Sequence, residues 1–385
     1  MITKALGSPP ATVMAVVVFG AIATLSLGIE PVVAEQLERE LHMPSHVAGL
    51  LLATEFLAAM FAALPAALLC RRASPRRVAV FSALAFLVAN LGSGLDAIVP
   101  MLFFWRALSG LAGGALLVTV LATAARCENP ERVYAIWVTG QTLAGAAALY
   151  LLPGLFRAHG LKMLYLLMAL GTLLALSLLR SLWPQPAPPA AARLAEPGRR
   201  RETLSALCVL ALFYAAVSGA WAFAADRGAA SGLVSTHVTA WLAVSNLAGI
   251  GGALLAAWIG RSRARTLLIV TGHGLLAIVL GLFAAASSAL SFSIFVLLLQ
   301  FTWSFTAPFL LAQAAAVGQP DETMGAASCC MGAGLAVGPI LTGVLLERPG
   351  GYAFAAAGSG VLLTAALLLV AWQVSAGRAR IRMKT

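Results

Sequence analysis

Residues 266–320 form a run of 55 residues that contains no Lys, Arg, Asp or Glu. A single helix of that length would extend roughly 80 Å, whereas the apolar core of a bilayer is about 30 Å thick. We therefore expect two apolar helices in this run, separated at Ser287 and Ser288. Across the whole chain 61% of residues are hydrophobic and only 10% are charged, against about 25% charged residues in soluble domains. The sequence predicts an integral membrane protein.

Ten further apolar runs are long enough to cross a bilayer. They are continuous rather than alternating between apolar and polar residues, which predicts helices and excludes a β-barrel. Two of them contain a single charge each, Glu55 and Arg106. The runs are 5–29, 47–70, 78–95, 97–125, 133–156, 163–179, 203–225, 228–260, 323–346 and 349–377. The expected fold is an all-α polytopic membrane protein with twelve transmembrane helices.

The basic residues between the spans predict the orientation of the chain. With the N-terminus inside, 19 of the 25 Lys and Arg residues fall in cytoplasmic segments, five fall outside and Arg106 lies in a span. Basic residues concentrate in the cytoplasmic loops of membrane proteins. We therefore expect both termini in the cytoplasm, and a multi-pass location in the cell membrane (the bacterial inner membrane). The net charge of +11 needs no nucleic-acid partner to explain it.

The single long loop divides the chain into two halves of six spans. Residues 184–202 are rich in proline, alanine and charge, which predicts a cytoplasmic linker between a bundle at 1–183 and a bundle at 203–385. Residues 52–71 and 242–261 occupy the same place in the two halves, and nine of their 20 positions are identical. This similarity indicates a duplicated six-helix unit.

Two glycine patterns and a basic loop carry a resemblance to the major facilitator superfamily. The fourth span contains R-x-x-x-G-x-x-G-G, and the eleventh contains G-x-x-x-G-P rather than the fifth, where drug antiporters of the family have it. The loop after the second span keeps the family's basic cluster, but Cys70 stands where the family has an acid. The motif residues are Arg106, Gly110, Gly113 and Gly114; Gly334, Gly338 and Pro339; and Arg71, Arg72, Arg76 and Arg77.

The resemblance implies a fold, a mechanism and a gate. The fold is two pseudo-symmetric six-helix bundles, and the mechanism is transport of a small-molecule substrate by alternating access. It also implies that the basic cluster after the second span acts as a cytoplasmic gate. Because Cys70 is not acidic, we expect either a weaker gate here or a carboxylate supplied by Glu128 or Glu131.

Ionisable side chains inside spans are candidates for coupling, because their burial in lipid costs at least a few kcal/mol. Glu55 and Arg106 lie at similar depth in the outer halves of spans two and four, where they either pair or both face the cavity. For Arg106 the structural alternative is a clamp bound to backbone carbonyls, and for Glu55 it is a neutral carboxylic acid packed among helices. Glu30 precedes Pro31 near the outer end of the first span, where it is either the alternative proton-coupling carboxylate or a residue that marks the membrane surface.

Neutral polar and aromatic side chains in the second half are candidates for the substrate cavity. Membrane binding sites combine a mostly apolar wall with a few convergent polar groups. Such a set suits an amphipathic or aromatic substrate, although the aromatic residues also fit a lipid-facing belt. The candidates are Tyr214, Trp221, Asn246, Gln300, Trp303 and Gln313.

Several functions are excluded by what the sequence lacks. It contains no phosphate-binding G-x-x-x-x-G-K-[ST] loop, no H-E-x-x-H and no G-x-S-x-G, so neither ATP hydrolysis nor another enzymatic activity is expected. The five cysteines match no metal framework, and we expect no metal and no cofactor. The leading hypothesis is a monomeric, proton-coupled exporter of a small organic molecule. The alternatives are an importer of an organic acid or other metabolite, and a non-transporting membrane receptor on the same fold.

Overall fold

The structure is a computed structural model that describes residues 9–43, 45–72, 75–96, 98–182, 199–260, 264–317, 320–346 and 348–384. Within these residues every regular element is helical, and twelve helices are long and apolar enough to cross a membrane. The predicted break in the charge-free run is confirmed, because one helix ends at Ala285 and the next begins at Ala289. The all-α polytopic architecture is therefore confirmed.

Within the described residues, thirteen α-helices follow one another. In the first half they are α1 (Pro10–Leu41), α2 (Ser45–Arg72), α3 (Pro75–Leu95), α4 (Val99–Ala125), α5 (Pro130–His159) and α6 (Lys162–Ala175), the last continuing as a 3-10 helix at Leu176–Ser181. In the second half they are α7 (Arg199–Ala222), a short α8 (Ala224–Ala230), α9 (Ser235–Ile259), α10 (Arg265–Ala285), α11 (Ala289–Val317), α12 (Pro320–Leu346) and α13 (Gly351–Lys384).

The tertiary contacts divide the chain into two units. The first unit comprises Met1–Ala187 with Pro320–Cys329, and the second comprises Pro188–Gln319 with Cys330–Thr385. The boundary thus passes through α12 as well as between α6 and α7. Most of the predicted linker, 184–202, lies outside the described residues, and the domain boundaries at 183 and 203 stay predictions.

Proline and glycine set several helix boundaries. Proline is the first residue of α1, α3, α5 and α12, a position where its missing N–H leaves no helical bond unmade. At the start of α5 the side chain of Asn129 also accepts a hydrogen bond from the backbone N–H of Arg132 at 3.2 Å. After α5 the chain turns at Gly160, whose φ of 74° favours glycine. The carboxylate of Glu40 accepts the next backbone N–H, that of Leu161, at 2.6 Å.

The first helix differs from its prediction. The charge-free run predicted that the first helix ends near residue 29, with Glu30 near its outer end. In the structure α1 continues to Leu41, so residue 30 lies within the helix. The apolar window ends at Ile29, which shows that the run marked the apolar part of the helix rather than its end.

Within the first unit, α1 and α5 pack closely at two glycines of α1, Gly20 and Gly28. A Cβ added at Gly20 would overlap the indole of Trp137, and one added at Gly28 would lie 3.7 Å from the Cα of Gly145. Between these two contacts the hydroxyl of Thr24 donates to the side-chain oxygen of Gln141 at 2.8 Å. The contacts recur every four residues on both helices, as expected for ridges along i and i+4.

Within the second unit, α7 and α12 form a seam with the same spacing. A Cβ at Gly334 would meet the carbonyl oxygen of Ala211 at 2.5 Å, and one at Gly338 would meet that of Ala215 closer still. One turn further, a Cβ at Gly219 would overlap the hydroxyl of Thr342. The G-x-x-x-G-P motif therefore brings two helices into backbone contact. The duplication expected from the sequence stays a prediction.

Candidate functional site

The two intramembrane charges of the first unit are positioned by glycines of α4. A Cβ at Gly110 would lie 2.9 Å from the Cβ of Ala58 and closer to the carbonyl oxygen of Glu55. One turn later, a Cβ at Gly114 would lie 2.6 Å from the Cα of Ala59. Since only glycine permits this approach, α2 and α4 are in backbone contact. This contact places Glu55 opposite Arg106, which lies one turn before Gly110.

Glu55 and Arg106 form a bidentate ion pair. Nη2 of Arg106 donates to Oε1 of Glu55, and Nε donates to Oε2 at 3.3 Å. The two side chains are 12% and 3% exposed, respectively. A planar guanidinium matches the two oxygens of a carboxylate, so this geometry uses what lysine would not provide. Of the two arrangements expected from the sequence, the structure shows the pair.

Neutral side chains satisfy the remaining donors of Arg106. Nη1 donates to Oδ1 of Asn90 at 3.0 Å and to Oγ of Ser93 at 3.3 Å, and Nη2 also donates to Oγ of Ser109 at 3.0 Å. Asn90 and Ser93 donate in turn to carbonyls of α3, which leaves their oxygens free to accept. The five N–H groups of the guanidinium therefore all have a partner. The ring of Tyr165 covers one face, with its centroid 4.7 Å from Cζ.

The carboxylate of Glu55 has a contact with the first helix. Oε1 accepts from Oγ of Ser26 on α1 at 3.2 Å and from Oγ of Ser109 at 3.4 Å. The cluster thus joins α1, α2, α3, α4 and α6 of the first unit. Its two formal charges cancel, and its hydrogen bonds offset much of the cost of burying them.

The two charges were predictable from the sequence, but their partners were not. The structural alternative for Arg106 was a clamp bound to backbone carbonyls, whereas its described partners are side chains. A signal for two of them was present, because Asn90 and Ser93 are polar residues one turn apart in a charge-free span. Ser26 and Tyr165 carry no comparable signal. The roles of Glu55 and Arg106 in coupling remain a prediction.

Four of the six cavity candidates come together in pairs within the second unit. Nε2 of Gln300 on α11 donates to Oδ1 of Asn246 on α9 at 3.2 Å. Trp303, one turn after Gln300, meets Tyr214 of α7 edge to face, with ring centroids 6.0 Å apart. Asn246 and Tyr214 are buried, whereas Gln300 and Trp303 are half-buried.

The structure does not place the other two cavity candidates in this cluster. Gln313 lies about 20 Å further along α11 at 1.5 Å per residue. Its amide donates to Gln373 of α13, whose amide donates to Ser205 of α7 at 2.9 Å. Gln313 therefore belongs to a separate network that ties three helices together. Trp221 is half-buried, two turns after Tyr214 on α7.

The remaining candidates are only partly described. The side chains of Glu30, Arg71 and Arg72 lie outside the described residues, while Arg76 and Arg77 are exposed. Of the two proposed substitutes for the missing acid, Glu128 is exposed and Glu131 is buried in the first turn of α5. The gate stays a prediction.

Asp226 and Arg227 follow the seventh span. They lie on the separate helix α8, where Nη2 of Arg227 donates to the carbonyl oxygen of Ala284 at 3.3 Å. Cζ of Arg227 lies 4.3 Å from the ring centroid of Tyr352. A basic side chain at the last carbonyls of a helix stabilises its C-terminus, so the role of Arg227 is to cap α10.

The chain belongs to the Major Facilitator Superfamily, whose family model matches residues 12–327. The resemblance stated from the glycine motifs is therefore confirmed. This is a family of membrane transporters, so the chain is a transporter by class.

Solved structures of transporters share the fold. The human organic anion transporter MFSD10 (TETRAN) is 16% identical with a TM-score of 0.78, and the match covers 94% of this chain and 100% of that one. FucP in its outward conformation is 12% identical with a TM-score of 0.77, covering 94% and 98%. A second FucP structure, of the E. coli fucose:proton symporter, is 13% identical with a TM-score of 0.72 and the same coverage. Identities this low show the twelve-helix fold and nothing about substrate. No curated protein matches the chain.

Proposed function

We propose that the chain is a secondary active transporter that moves a small organic molecule across the cytoplasmic membrane by alternating access. The coupling ion of this proposal is the proton, and the direction is export. The observation that carries the proposal is the buried pair of Glu55 and Arg106 in the first unit. A carboxylate is the group in this cluster that can take up a proton.

The charge balance of the cluster explains how a proton would act. The two charges cancel only while Glu55 is ionised. Uptake of one proton leaves the guanidinium of Arg106 uncompensated at a site of low exposure, where an unpaired charge is costly. In this proposal, protonation of Glu55 therefore favours a different conformation around Arg106, which is the link that proton-driven transport requires.

Transport itself is tested by flux in proteoliposomes that contain the purified protein. We expect a ligand found by thermal-stability screening to be accumulated or expelled when a pH gradient is imposed, and a protonophore to abolish the effect. Reversing the gradient in vesicles of known orientation separates export from import. Binding without any flux under either gradient would favour a non-transporting receptor.

The orientation of the chain forms part of the proposal. Both termini lie in the cytoplasm, because 19 basic residues fall in segments on that side and five on the other. A reporter that functions only in the cytoplasm is expected to be active when it is fused after Thr385. Activity of a reporter that requires the periplasm would contradict this topology.

A further inference from the structure

The amide pair of the second unit has hydrogen-bonding capacity left over. The bond from Gln300 to Asn246 uses one N–H and one oxygen. The amide nitrogen of Asn246 and the side-chain oxygen of Gln300 have no partner among the described residues. Reversing both amides would exchange these roles and still leave N–H donors beside an acceptor. The pair therefore retains a donor and an acceptor that no described residue uses.

An aromatic surface lies beside this pair. Trp303 follows Gln300 by one turn of α11, so the two side chains project from the same face of the helix. Tyr214 supports the indole from α7 with its ring nearly perpendicular, at an interplanar angle of 87°. Both Gln300 and Trp303 are half-buried, so each keeps part of its surface available for contact.

The helices that carry these groups supply no charge near them. Neither α9 nor α11 contains a Lys, Arg, Asp or Glu. In α7 the charged residues are confined to 199–202, and Tyr214 lies about 18 Å further along at 1.5 Å per residue. A charged ligand group would lose its hydration here without gaining a counter-charge from these helices.

We propose that Asn246, Gln300, Trp303 and Tyr214 form a subsite for an uncharged ligand that carries an amide or hydroxyl group next to an aromatic ring. The amide or hydroxyl supplies both an acceptor and a donor, which match the free groups of Asn246 and Gln300. The ring packs against Trp303. This inference rests on the proposed transport function and specifies the substrate class.

The charge of the ligand is tested with matched compounds and the full-length protein in detergent. The probes are aromatic carboxamides together with the carboxylate and the ammonium analogue of each, of which benzamide, benzoate and benzylammonium are the simplest set. We expect thermal stabilisation by carboxamides, with at least about tenfold weaker apparent affinity for both charged analogues. Preferential stabilisation by carboxylates or ammonium compounds would overturn the uncharged class but leave the transporter proposal standing. No stabilisation by any probe would overturn the subsite.

Variants of the amide pair test where the ligand binds. Gln300→Leu removes the free acceptor, and we expect it to weaken carboxamide binding about tenfold, the equivalent of about one hydrogen bond. Asn246→Asp introduces a carboxylate, and we expect it to weaken carboxamide binding and to favour the ammonium analogue. The matched controls are Ser293→Ala on α11 and Ser245→Ala on α9. Within the described part of the chain their hydroxyls bond only to carbonyls of their own helices.

Two readouts keep this test separate from that of transport. Unfolding temperatures without ligand identify a variant that is merely misfolded. If carboxamides bind wild-type protein and both variants equally, the ligand binds elsewhere and the subsite is wrong, whatever the flux measurements give. If the variants lose binding and the controls keep it, the subsite stands.

Discussion

Arg106→Leu is expected to lower the free energy of unfolding by about 3–5 kcal/mol, one of the two largest losses that the structure predicts for a single substitution. The change removes five donated hydrogen bonds and leaves the Glu55 carboxylate buried without a counter-charge. It also removes the donor that the side-chain oxygens of Asn90 and Ser93 accept from. Reversible unfolding of the purified protein in mixed micelles would measure the loss.

A double variant separates the ion pair from simple packing. Glu55→Leu combined with Arg106→Met removes both charges and retains side-chain volume, so we expect it to recover most of the stability lost in Arg106→Leu. Glu55→Gln alone keeps a hydrogen-bond acceptor and is expected to cost less than Arg106→Leu. Equal losses of stability in Arg106→Leu and in the double variant would show that the unpaired carboxylate of Glu55 is not the cause of the loss.

Gly110→Leu is expected to destabilise the first unit by at least about 3 kcal/mol. The added side chain would overlap the backbone of α2 at Glu55 and the Cβ of Ala58. Backbone atoms inside a helix cannot move aside as a flexible side chain can, so the two helices must separate. The separation would also pull Glu55 away from Arg106.

The chain contains matched controls for this packing argument. Gly154 on α5 has nothing within 4 Å of an added Cβ, so Gly154→Leu is expected to be neutral or slightly stabilising. In the second unit a Cβ at Gly252 would lie 3.1 Å from the carbonyl carbon of Phe301, whereas its neighbour Gly251 has open space. Gly252→Leu should therefore destabilise and Gly251→Leu should not. If Gly110→Leu and Gly154→Leu lowered the free energy of unfolding equally, close packing would not be the function of the motif.

Much of the fold was predictable because the membrane imposes a strong requirement on sequence. A charged residue inside lipid is costly, so runs without charge locate the spans, and the break near Ser287 followed from length alone. The end of α1 was not predictable in this way. Helix formation continues past the apolar stretch, and the charged residues between Glu30 and Leu41 mark where the apolar stretch ends, not where the helix does.

The site was predictable only as far as its charges. Glu55 and Arg106 stood out because a span rarely tolerates an unpaired charge. Asn90, Ser93 and Ser26 are neutral, cost little in a span and resemble many residues that bond only to their own helix. Gln313 shows a different limit: an amide in a span predicts a hydrogen-bond partner, here Gln373, but not whether a substrate also binds there.

Accumulation against a concentration gradient by Glu55→Gln protein in proteoliposomes is the most direct test of proton coupling at this site. We predict that a pH gradient drives ligand accumulation by the wild-type protein. Glu55→Gln is expected to lose this accumulation while keeping ligand binding and the exchange of labelled for unlabelled ligand. Arg106→Lys keeps the charge but not the planar fork, and we expect it to slow turnover. If Glu55→Gln accumulates ligand under a pH gradient as wild type does, Glu55 is a packing residue and the proposed coupling site is wrong.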